Sequence, residues 1–178
     1  MRTSMHILAI SGSLRAASRN TTLLRAAARL APPGIEVTLF GGLGLLPLFN
    51  PDLEASDPAP VAALRAALLA ADAVLIASPE YAHGVTGVIK NALDWMVGGE
   101  CFIDMPLALL NAAPRATHAQ AALRETLLTM SARVLDEASI TLPLLGADMS
   151  EDDIVAHPHM GEALREALLR LRAAAEKT

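Results

Sequence analysis

The stretch that decides the fold is Ile7–Asn20, which reads Ile-Leu-Ala-Ile-Ser-Gly-Ser-Leu-Arg-Ala-Ala-Ser-Arg-Asn. It opens with an apolar run of the length of a buried strand, which breaks abruptly into serine, glycine and arginine before a helical pattern begins. In an open α/β sheet, ligands bind at the carboxyl ends of the strands. A helix that starts there directs unpaired N–H groups at an anion. The stretch therefore predicts a site for a small molecule that carries a phosphate.

The bulk composition narrows the classes of protein that need to be considered. The chain has 178 residues, of which 53% are hydrophobic and 3% aromatic, and its net charge is −5. We expect one domain over residues 1–178 with an aliphatic core, and an acidic chain without a basic run argues against nucleic acid and anionic membranes as partners. Cys101 is the only cysteine, so no internal disulfide can form. Because no long apolar segment is present, we expect a cytoplasmic protein.

Strand-like and helix-like patterns alternate along the whole chain. Short apolar runs predict strands at Met5–Ile10, Ile35–Phe40, Ala73–Ala77, Leu107–Leu110 and Val134–Thr141. Helical spacing predicts helices at Asn20–Leu30, Pro60–Ala71, Thr86–Val97, Thr117–Met130 and Gly161–Ala175. This alternation requires a parallel sheet with helices on both faces. Five units match an α/β three-layer sandwich of flavodoxin-like strand order 2-1-3-4-5 better than an eight-stranded barrel.

Three smaller features complete the predicted secondary structure. Residues 41–60 and 142–160 are rich in proline and glycine and are predicted to be long loops. Thr117 and Gln120 have the spacing of a capping box, which predicts that the Thr117 side chain caps the fourth helix.

The loop after the first strand concentrates groups that bind phosphate. Gly12 lets the backbone approach a ligand, Arg15 can grip two phosphate oxygens, and Asn20 offers an amide. Hydroxyl groups come from Ser11, Ser13 and Ser18. An ordinary turn capped by Ser18 or Asn20 would explain one of these residues but not the cluster. Neither the Walker pattern nor GxGxxG is present.

The loop after the third strand, Ser78–Gly84, is expected beside the first loop if strands 1 and 3 are neighbours. Its backbone amides and the Tyr81 ring suit a flat heterocycle, although Tyr81 could instead anchor the loop on the core. For Glu80 we expect a backbone contact with the ligand in preference to acid–base catalysis, and the simpler interpretations are a solvated charge or a hydrogen bond within the turn.

Three segments in this order resemble the NADPH-dependent FMN reductase family. They are Ser11–Arg15 with Ser18 and Asn20, then Ser78–Tyr81, then Gly87–Trp95, and the resemblance runs from Met5 to about Leu145. The family includes flavodoxin-like quinone, chromate and azo-dye reductases. The resemblance implies FMN as cofactor, NADPH or NADH as co-substrate, a small-molecule electron acceptor, and a homodimer or homotetramer.

The resemblance also assigns roles by position. It implies that the FMN phosphate is held by Ser11, Ser13, Leu14, Arg15, Ser18 and Asn20. It places the ribityl chain and the ring against Pro79, Glu80, Tyr81, Ala82 and His83, with Asn111, Ala113 and Arg115 near the ring. The family commonly has Asn after the Glu-Tyr pair, whereas this chain has Ala82 followed by His83, which can replace that amide. The glycine-rich pattern common after strand 4 is replaced by Pro114–Thr117.

The expected mechanism is ping-pong: hydride passes from NAD(P)H to the bound flavin, and a small acceptor such as a quinone, free flavin, azo dye or chromate then takes two electrons at the same place. This scheme needs no catalytic side chain. We expect the helix that begins at Thr117, with Arg115 nearby, to support the negative charge of the reduced flavin. The alternatives are a flavodoxin-type electron carrier and a regulatory FMN-binding protein. The basic residues expected at the site (Arg15, Arg19, His83 and Arg115) disfavour the carrier.

Several other residues have simpler interpretations. His157 and His159 flank a proline without a third ligand, so we expect no metal site there. Cys101 is interpreted as an inert thiol. Trp95 and Met96 are expected in the core or at a dimer surface, and Lys90 and Asp94 are expected to form an i,i+4 pair or an intersubunit contact.

Overall fold

A computed structural model describes residues 4–144 and 149–177 of the chain. Its strands are β1 Met5–Ser11, β2 Ile35–Leu39, β3 Ala73–Ala77, β4 Glu80–Tyr81, β5 Gly84–Val85, β6 Pro106–Asn111, β7 Arg133–Val134 and β8 Ile140–Thr141. Its helices are α1 Arg19–Arg29, α2 Ala59–Ala70, α3 Gly87–Met96, α4 Thr117–Thr129, α5 Glu151–Ala156 and α6 Pro158–Ala175.

The central sheet has the order β2-β1-β3-β6-β7, with β8 also paired to β6. All of these pairs are parallel. Alternate residues of β1 enter different cores: Leu8 packs on the side of α2, α3 and α4, and Ile7 packs on the side of α1, α5 and α6. The predicted three-layer α/β fold and the order 2-1-3-4-5 are confirmed, because β7 and β8 together take the fifth place.

The edge of the sheet differs from the prediction of one continuous strand over Val134–Thr141. The chain forms two two-residue strands joined by a turn, in which the Ser139 N–H donates to the Leu135 carbonyl at 3.0 Å. The Ser139 hydroxyl then accepts the Leu109 N–H at 3.0 Å. A side chain thus replaces the ladder bond that a continuous strand would have made, and the polar residues between the two short strands form the turn.

The segment predicted as a loop over residues 142–160 contains a helix that the prediction missed. Ser150 and Asp153 form a reciprocal capping box at the start of α5, and Ile154 buries its side chain completely. His157 caps α6, which therefore begins at Pro158, three residues before the predicted start. Residues 145–148 of the predicted loop lie outside the described residues. In the other predicted loop, 41–60, short 3₁₀ turns form at Leu43–Leu45 and Pro51–Ser56, and α2 begins at Ala59.

Among the helices that the structure describes, none combines the length and the apolar character needed to cross a bilayer.

Candidate functional site at the carboxyl edge of the sheet

The loop between β1 and α1 holds its polar groups in an ordered arrangement. Ser18 is the N-cap of α1, and its hydroxyl accepts the Thr21 N–H at 3.3 Å. This leaves the N–H groups of Arg19 and Asn20, the first two residues of the helix, without intrahelical partners. The Ser11 and Thr21 hydroxyls share a hydrogen bond of 2.8 Å. The loop therefore presents a helix N-terminus flanked by fixed hydroxyls, which suits an anion.

Asn20 adds an unsatisfied polar group to this loop. The residue is 7% exposed, and its side-chain oxygen is buried without a hydrogen-bond partner. A buried polar atom without a partner costs about 1–3 kcal/mol. Because a rotated amide exchanges oxygen for NH₂, the same position can offer a donor to a phosphate. The unsatisfied amide is consistent with a site that is completed by a ligand.

The charges of the loop are also available to a ligand. Arg15 and Arg19 are exposed, and no acidic side chain among residues 4–144 and 149–177 forms an ion pair with either. Arg29, at the other end of α1, instead pairs with Glu151 and Asp152. Two guanidinium groups without an acidic partner favour the approach of an anion to this loop, even in a chain of net charge −5.

The first loop is fixed against the loop after β3 by a close backbone contact. The parallel register places Ser11 beside Ala77, and the Gly12 N–H donates to the Ala77 carbonyl at 2.8 Å. A Cβ at Gly12 would lie 2.2 Å from the Ser78 Oγ. The missing side chain of Gly12 thus makes room for Ser78, a steric role that is compatible with the ligand approach predicted for this glycine.

Thr86, the residue before α3, also stabilises the contact between the first loop and the loop after β3. Its hydroxyl donates to the Gly12 carbonyl at 2.7 Å and also accepts the Ile89 N–H as the N-cap of α3. Thr86 is 3% exposed. Sequence reasoning missed this residue as part of the site, although a threonine just before the helical pattern is itself an N-cap signal.

The loop after β3 folds into a two-residue hairpin formed by β4 and β5. The turn residues Ala82 and His83 have φ values of 49° and 60°, the left-handed conformation of a type I′ turn. This conformation costs alanine about 1–2 kcal/mol, whereas Asn, the residue common in the resembling family, tolerates it better. Tyr81 is 61% exposed, so its ring does not anchor the loop on the core.

Glu80 connects this hairpin to α4. Its Oε2 accepts the Ala119 N–H at 2.8 Å, and its Oε1 lies 3.1 Å from the Nδ1 of His83. The Ala119 hydrogen bond, followed by the bond to His83, lowers the pKa of Glu80 below its usual range. The predicted capping box at Thr117 is therefore wrong. No side chain of α4 caps the helix, because the Glu80 carboxylate already holds an N–H of its first turn.

The loop after β6 completes the edge. The β3–β6 register pairs Ala77 with Leu110, so Asn111 follows next to Ser78. Asn111 is buried, and its side-chain oxygen accepts the Ala113 N–H at 3.0 Å, whereas Ala113 and Arg115 are exposed. The hydrogen bonds of Thr86 and Glu80 thus join three successive loops, and these loops carry the site residues predicted from the sequence.

The remaining candidate residues have structural roles. Trp95 and Met96 are buried in the core, where the Trp95 indole N–H donates to the Pro47 carbonyl. Lys90 pairs with Asp94. Burial raises the pKa of the Cys101 thiol, and His157 caps α6. Among the described residues, no three His, Cys, Asp or Glu side chains form a cluster that could hold a metal.

A cavity of about 400 Å³ lies at the opposite, amino-terminal edge of the sheet. Its lining includes Met5, Gly34 and Asp72 and none of the predicted site residues. We therefore place the candidate site at the carboxyl edge, where the hydroxyls, the guanidinium groups and the unsatisfied amide occur.

Several known proteins are similar to this chain over more than half of its length. The sequence profile described as NADPH-dependent FMN reductase matches residues 5–144. An NAD(P)H-dependent FMN reductase of Pseudomonas aeruginosa is 36% identical over 148 residues, which cover 80% of each chain. A probable NADPH:quinone oxidoreductase of Oryza sativa subsp. japonica is 41% identical over 115 residues, which cover 62% of this chain and 57% of the rice protein.

A solved structure supports the same relationship. FerB, a flavoenzyme NAD(P)H:(acceptor) oxidoreductase from Paracoccus denitrificans, superposes with a TM-score of 0.70 at 26% identity, over 97% of this chain and 96% of FerB. The family profile matches the chain from the first residue of β1 to three residues after β8. The superposition with FerB covers nearly the whole chain. The chain belongs to the NADPH-dependent FMN reductase family.

Proposed function

We propose that this chain is an FMN-dependent oxidoreductase that passes two electrons from NAD(P)H to a small acceptor of the quinone class. When bound, FMN supplies the chemistry of accepting a hydride equivalent and passing it on. The chain supplies binding, orientation and charge. The observation that carries the proposal is the anion-binding loop at the start of α1, which is locked by Gly12 and Thr86 to the hairpin loop beside it.

The phosphate of FMN fits the first loop. The N–H groups of Arg19 and Asn20 and the guanidinium of Arg15 provide donors, and the Ser13 and Ser18 hydroxyls flank them. The unsatisfied amide of Asn20 gains a partner when the phosphate is present. We assign the phosphate contacts to Ser11, Ser13, Leu14, Arg15, Ser18 and Asn20, as the family resemblance implies.

The ribityl chain and the ring belong, in this proposal, against the hairpin and the loop after β6. The exposed ring of Tyr81 and the backbone of Pro79–His83 offer one wall, and Asn111, Ala113 and Arg115 offer the other. Glu80 contributes through its position in the backbone, because both of its carboxylate oxygens are already engaged within the protein.

Arg115 is proposed to balance the negative charge of the reduced cofactor. The N-terminus of α4 was expected to share this task, but its Ala119 N–H is already bonded to the Glu80 carboxylate, which reduces the positive field available from the helix. Arg115→Ala should therefore lower the reduction potential of the bound cofactor. An unchanged potential in spectroelectrochemistry would contradict this assignment.

We also propose that the chain self-associates as a homodimer or homotetramer. Leu45 and Leu48, in the loop after β2, are 72% and 83% exposed. Leu14, which contacts Gly44, extends this apolar surface at the same edge. Burial of such residues in a partner is favourable by about 25 cal/mol per Å². Sedimentation velocity of wild type and Leu48→Glu should show an assembly that the substitution weakens, and a wild-type monomer would contradict the proposal.

The proposed function is tested with purified protein and a matched pair of arginine variants. Arg15→Ala should release FMN, whereas Arg25→Ala, the same change at an exposed position within α1, should retain it. Initial rates of NADPH oxidation measured over a grid of NADPH and benzoquinone concentrations should give parallel double-reciprocal lines, the pattern of a ping-pong mechanism. Intersecting lines would contradict that mechanism. A protein that binds FMN but oxidises no nicotinamide would instead be a carrier or a regulatory protein.

A further inference from the structure

The turn that joins β4 and β5 holds both of its residues in the left-handed conformation, which alanine does not favour. Ala82 and His83 both adopt positive φ, at 49° and 60°, where the common turn sequences use Asn and Gly. Residues held in such conformations concentrate at functional sites, because surrounding interactions must impose them. The interaction that holds His83 is its contact with Glu80.

The Glu80 carboxylate determines which ring nitrogen of His83 keeps its proton and which one can exchange a proton with a ligand. Glu80 is an acceptor on both oxygens, with Ala119 N–H at 2.8 Å on one and His83 Nδ1 at 3.1 Å on the other. Its side chain is only 12% exposed, and it lies at the N-terminus of α4, where an anion is stabilised. The Nδ1 of His83 must therefore be the N–H donor, and Nε2 is the nitrogen that gains or loses a proton.

The surroundings of His83 leave the imidazole accessible. Its side chain is 77% exposed. The titratable groups in contact with it are Glu80 from the hairpin and, from the helix packed against the hairpin, His118, whose ring centroid lies 4.5 Å away in an edge-to-face arrangement. Tyr81 is its exposed neighbour in the same hairpin. An oriented imidazole backed by a carboxylate is the arrangement that general acid–base catalysts use.

We propose that His83 donates a proton to the oxygen of the acceptor during its reduction, and that Glu80 is the positioning residue that directs Nε2 outward. This inference rests on the proposed function. A quinone becomes a hydroquinone by gaining two electrons and two protons. Both electrons and one proton arrive as a hydride equivalent that originates from NAD(P)H. The second proton leaves Nε2 of the His83 imidazolium as the N–H bond breaks and the O–H bond forms, the electron pair stays on the ring nitrogen, and water reprotonates it.

The test compares two acceptors in the FMN-loaded enzyme. Benzoquinone needs a proton on its oxygen, whereas ferricyanide accepts an electron and no proton. His83→Asn keeps a residue suited to positive φ but removes the acid, so it should lower kcat/KM for benzoquinone by about 100-fold or more. Any effect of the substitution on the bound cofactor enters both rates, so the ratio of the benzoquinone rate to the ferricyanide rate is the measured quantity, and it should fall by about 100-fold or more. Equal losses with both acceptors would indicate a structural role and would overturn the proposal.

A neighbouring histidine serves as the matched control. His118→Asn removes an imidazole of the same cluster that interacts with the Glu80 carboxylate electrostatically but forms no hydrogen bond with it among the described residues, and it should change the benzoquinone rate by less than about threefold. The benzoquinone rate of the wild type should show a pH dependence that its ferricyanide rate lacks, and His83→Asn should remove that difference. Added imidazole should restore part of the rate. A variant that keeps the wild-type pH profile would overturn the proposal.

A second readout does not depend on activity. Nitrogen-15 NMR of the histidine side chains in the cofactor-free protein should show neutral His83 protonated at Nδ1, and Glu80→Gln should remove that preference. Neutral His83 protonated at Nε2 in the wild type would overturn the assignment. A wild-type protein that oxidises NAD(P)H with neither acceptor would overturn the proposed function together with this inference. An enzyme active with both acceptors whose benzoquinone rate ignores His83 would overturn this inference alone.

Discussion

The contact between Gly12 and Ser78 is the tightest part of the junction between the first two loops. An added Cβ at Gly12 would lie 2.2 Å from the Oγ, 2.6 Å from the Cβ and 3.1 Å from the Cα of Ser78. A Cβ does not approach non-bonded atoms as closely as the first two distances. Gly12→Ala must therefore move Ser78 or separate β1 from β3, and a separation would break the 2.8 Å bond from the Gly12 N–H to the Ala77 carbonyl.

The loss of stability expected for Gly12→Ala follows from these contacts. Overpacking costs about 1–3 kcal/mol, and the loss of a buried hydrogen bond adds about 1 kcal/mol. Gly12→Ala should thus lower the free energy of unfolding by about 2–4 kcal/mol, which corresponds to a fall in Tm of roughly 5–15 °C for a chain of this size. Urea titration followed by circular dichroism measures the change directly.

A second substitution, at Ser78, tests whether the clash with Ser78 causes the loss of stability. Ser78→Gly removes the two atoms that clash and should cost about 1 kcal/mol by itself. The double variant Gly12→Ala/Ser78→Gly should be more stable than the two single costs predict, with a coupling of about 1–2 kcal/mol. Gly41→Ala is the control, because nothing lies within 4 Å of its added Cβ. A Gly12→Ala protein as stable as the control, or a double variant with strictly additive costs, would refute the packing argument.

Three further substitutions probe the same loops. Thr86→Val leaves the buried Gly12 carbonyl without its donor and α3 without its cap, so it should lower the free energy of unfolding by about 1–3 kcal/mol in urea titration; a change below about 0.5 kcal/mol would count against this. Ala82→Gly removes the steric cost of positive φ and should stabilise the protein by about 0.5–1 kcal/mol, and a destabilised variant would contradict the turn geometry. Because its pKa is lowered on folding, Glu80 stabilises the protein above its ordinary pKa, and this contribution is lost as the pH falls through the folded value. The difference in urea midpoint between wild type and Glu80→Gln should therefore shrink from about pH 7 to about pH 3, and a constant difference would contradict the role of the carboxylate.

Local patterns predicted the centre of the fold well because its strands are buried on both faces and α3 has one apolar and one polar face. The apolar runs at Met5–Ile10 and Ala73–Ala77 and the helical spacing after Thr86 correspond closely to β1, β3 and α3. Ser18 was one of two possible caps of α1, and the structure assigns the cap to it. In these elements, propensity, hydrophobic period and capping all favour the same structure.

The prediction of secondary structure failed where a side chain from a distant part of the chain takes the place of a local hydrogen-bond partner. Thr117 and Gln120 have a capping-box spacing, but the N-terminus of α4 is capped by Glu80, which lies more than thirty residues earlier in the chain. The edge strand is interrupted because the Ser139 side chain substitutes for a backbone partner. Such hydrogen bonds depend on tertiary proximity, which no local pattern in a single sequence reports.

In the candidate site, too, local features could be predicted from the sequence and contacts between distant residues could not. Ser11–Asn20 has the composition of an anion-binding loop, and this could be recognised from residue types alone. The junction through Gly12, Ser78 and Thr86 could not, because it depends on the parallel register that brings Gly12 beside Ser78. The dyad of Glu80 and His83 requires the geometry of a two-residue turn at positive φ, which Ala82-His83 does not signal.

The most direct test of the account is the difference in affinity between FMN and riboflavin, which differ only in the phosphate. Calorimetric titration of the cofactor-free protein should show FMN binding at least about 100-fold more tightly, since two charge-assisted hydrogen bonds are worth about 3 kcal/mol or more. Equal affinities for the two compounds, or no binding of FMN, would contradict the assignment of the loop at the start of α1 as the phosphate site.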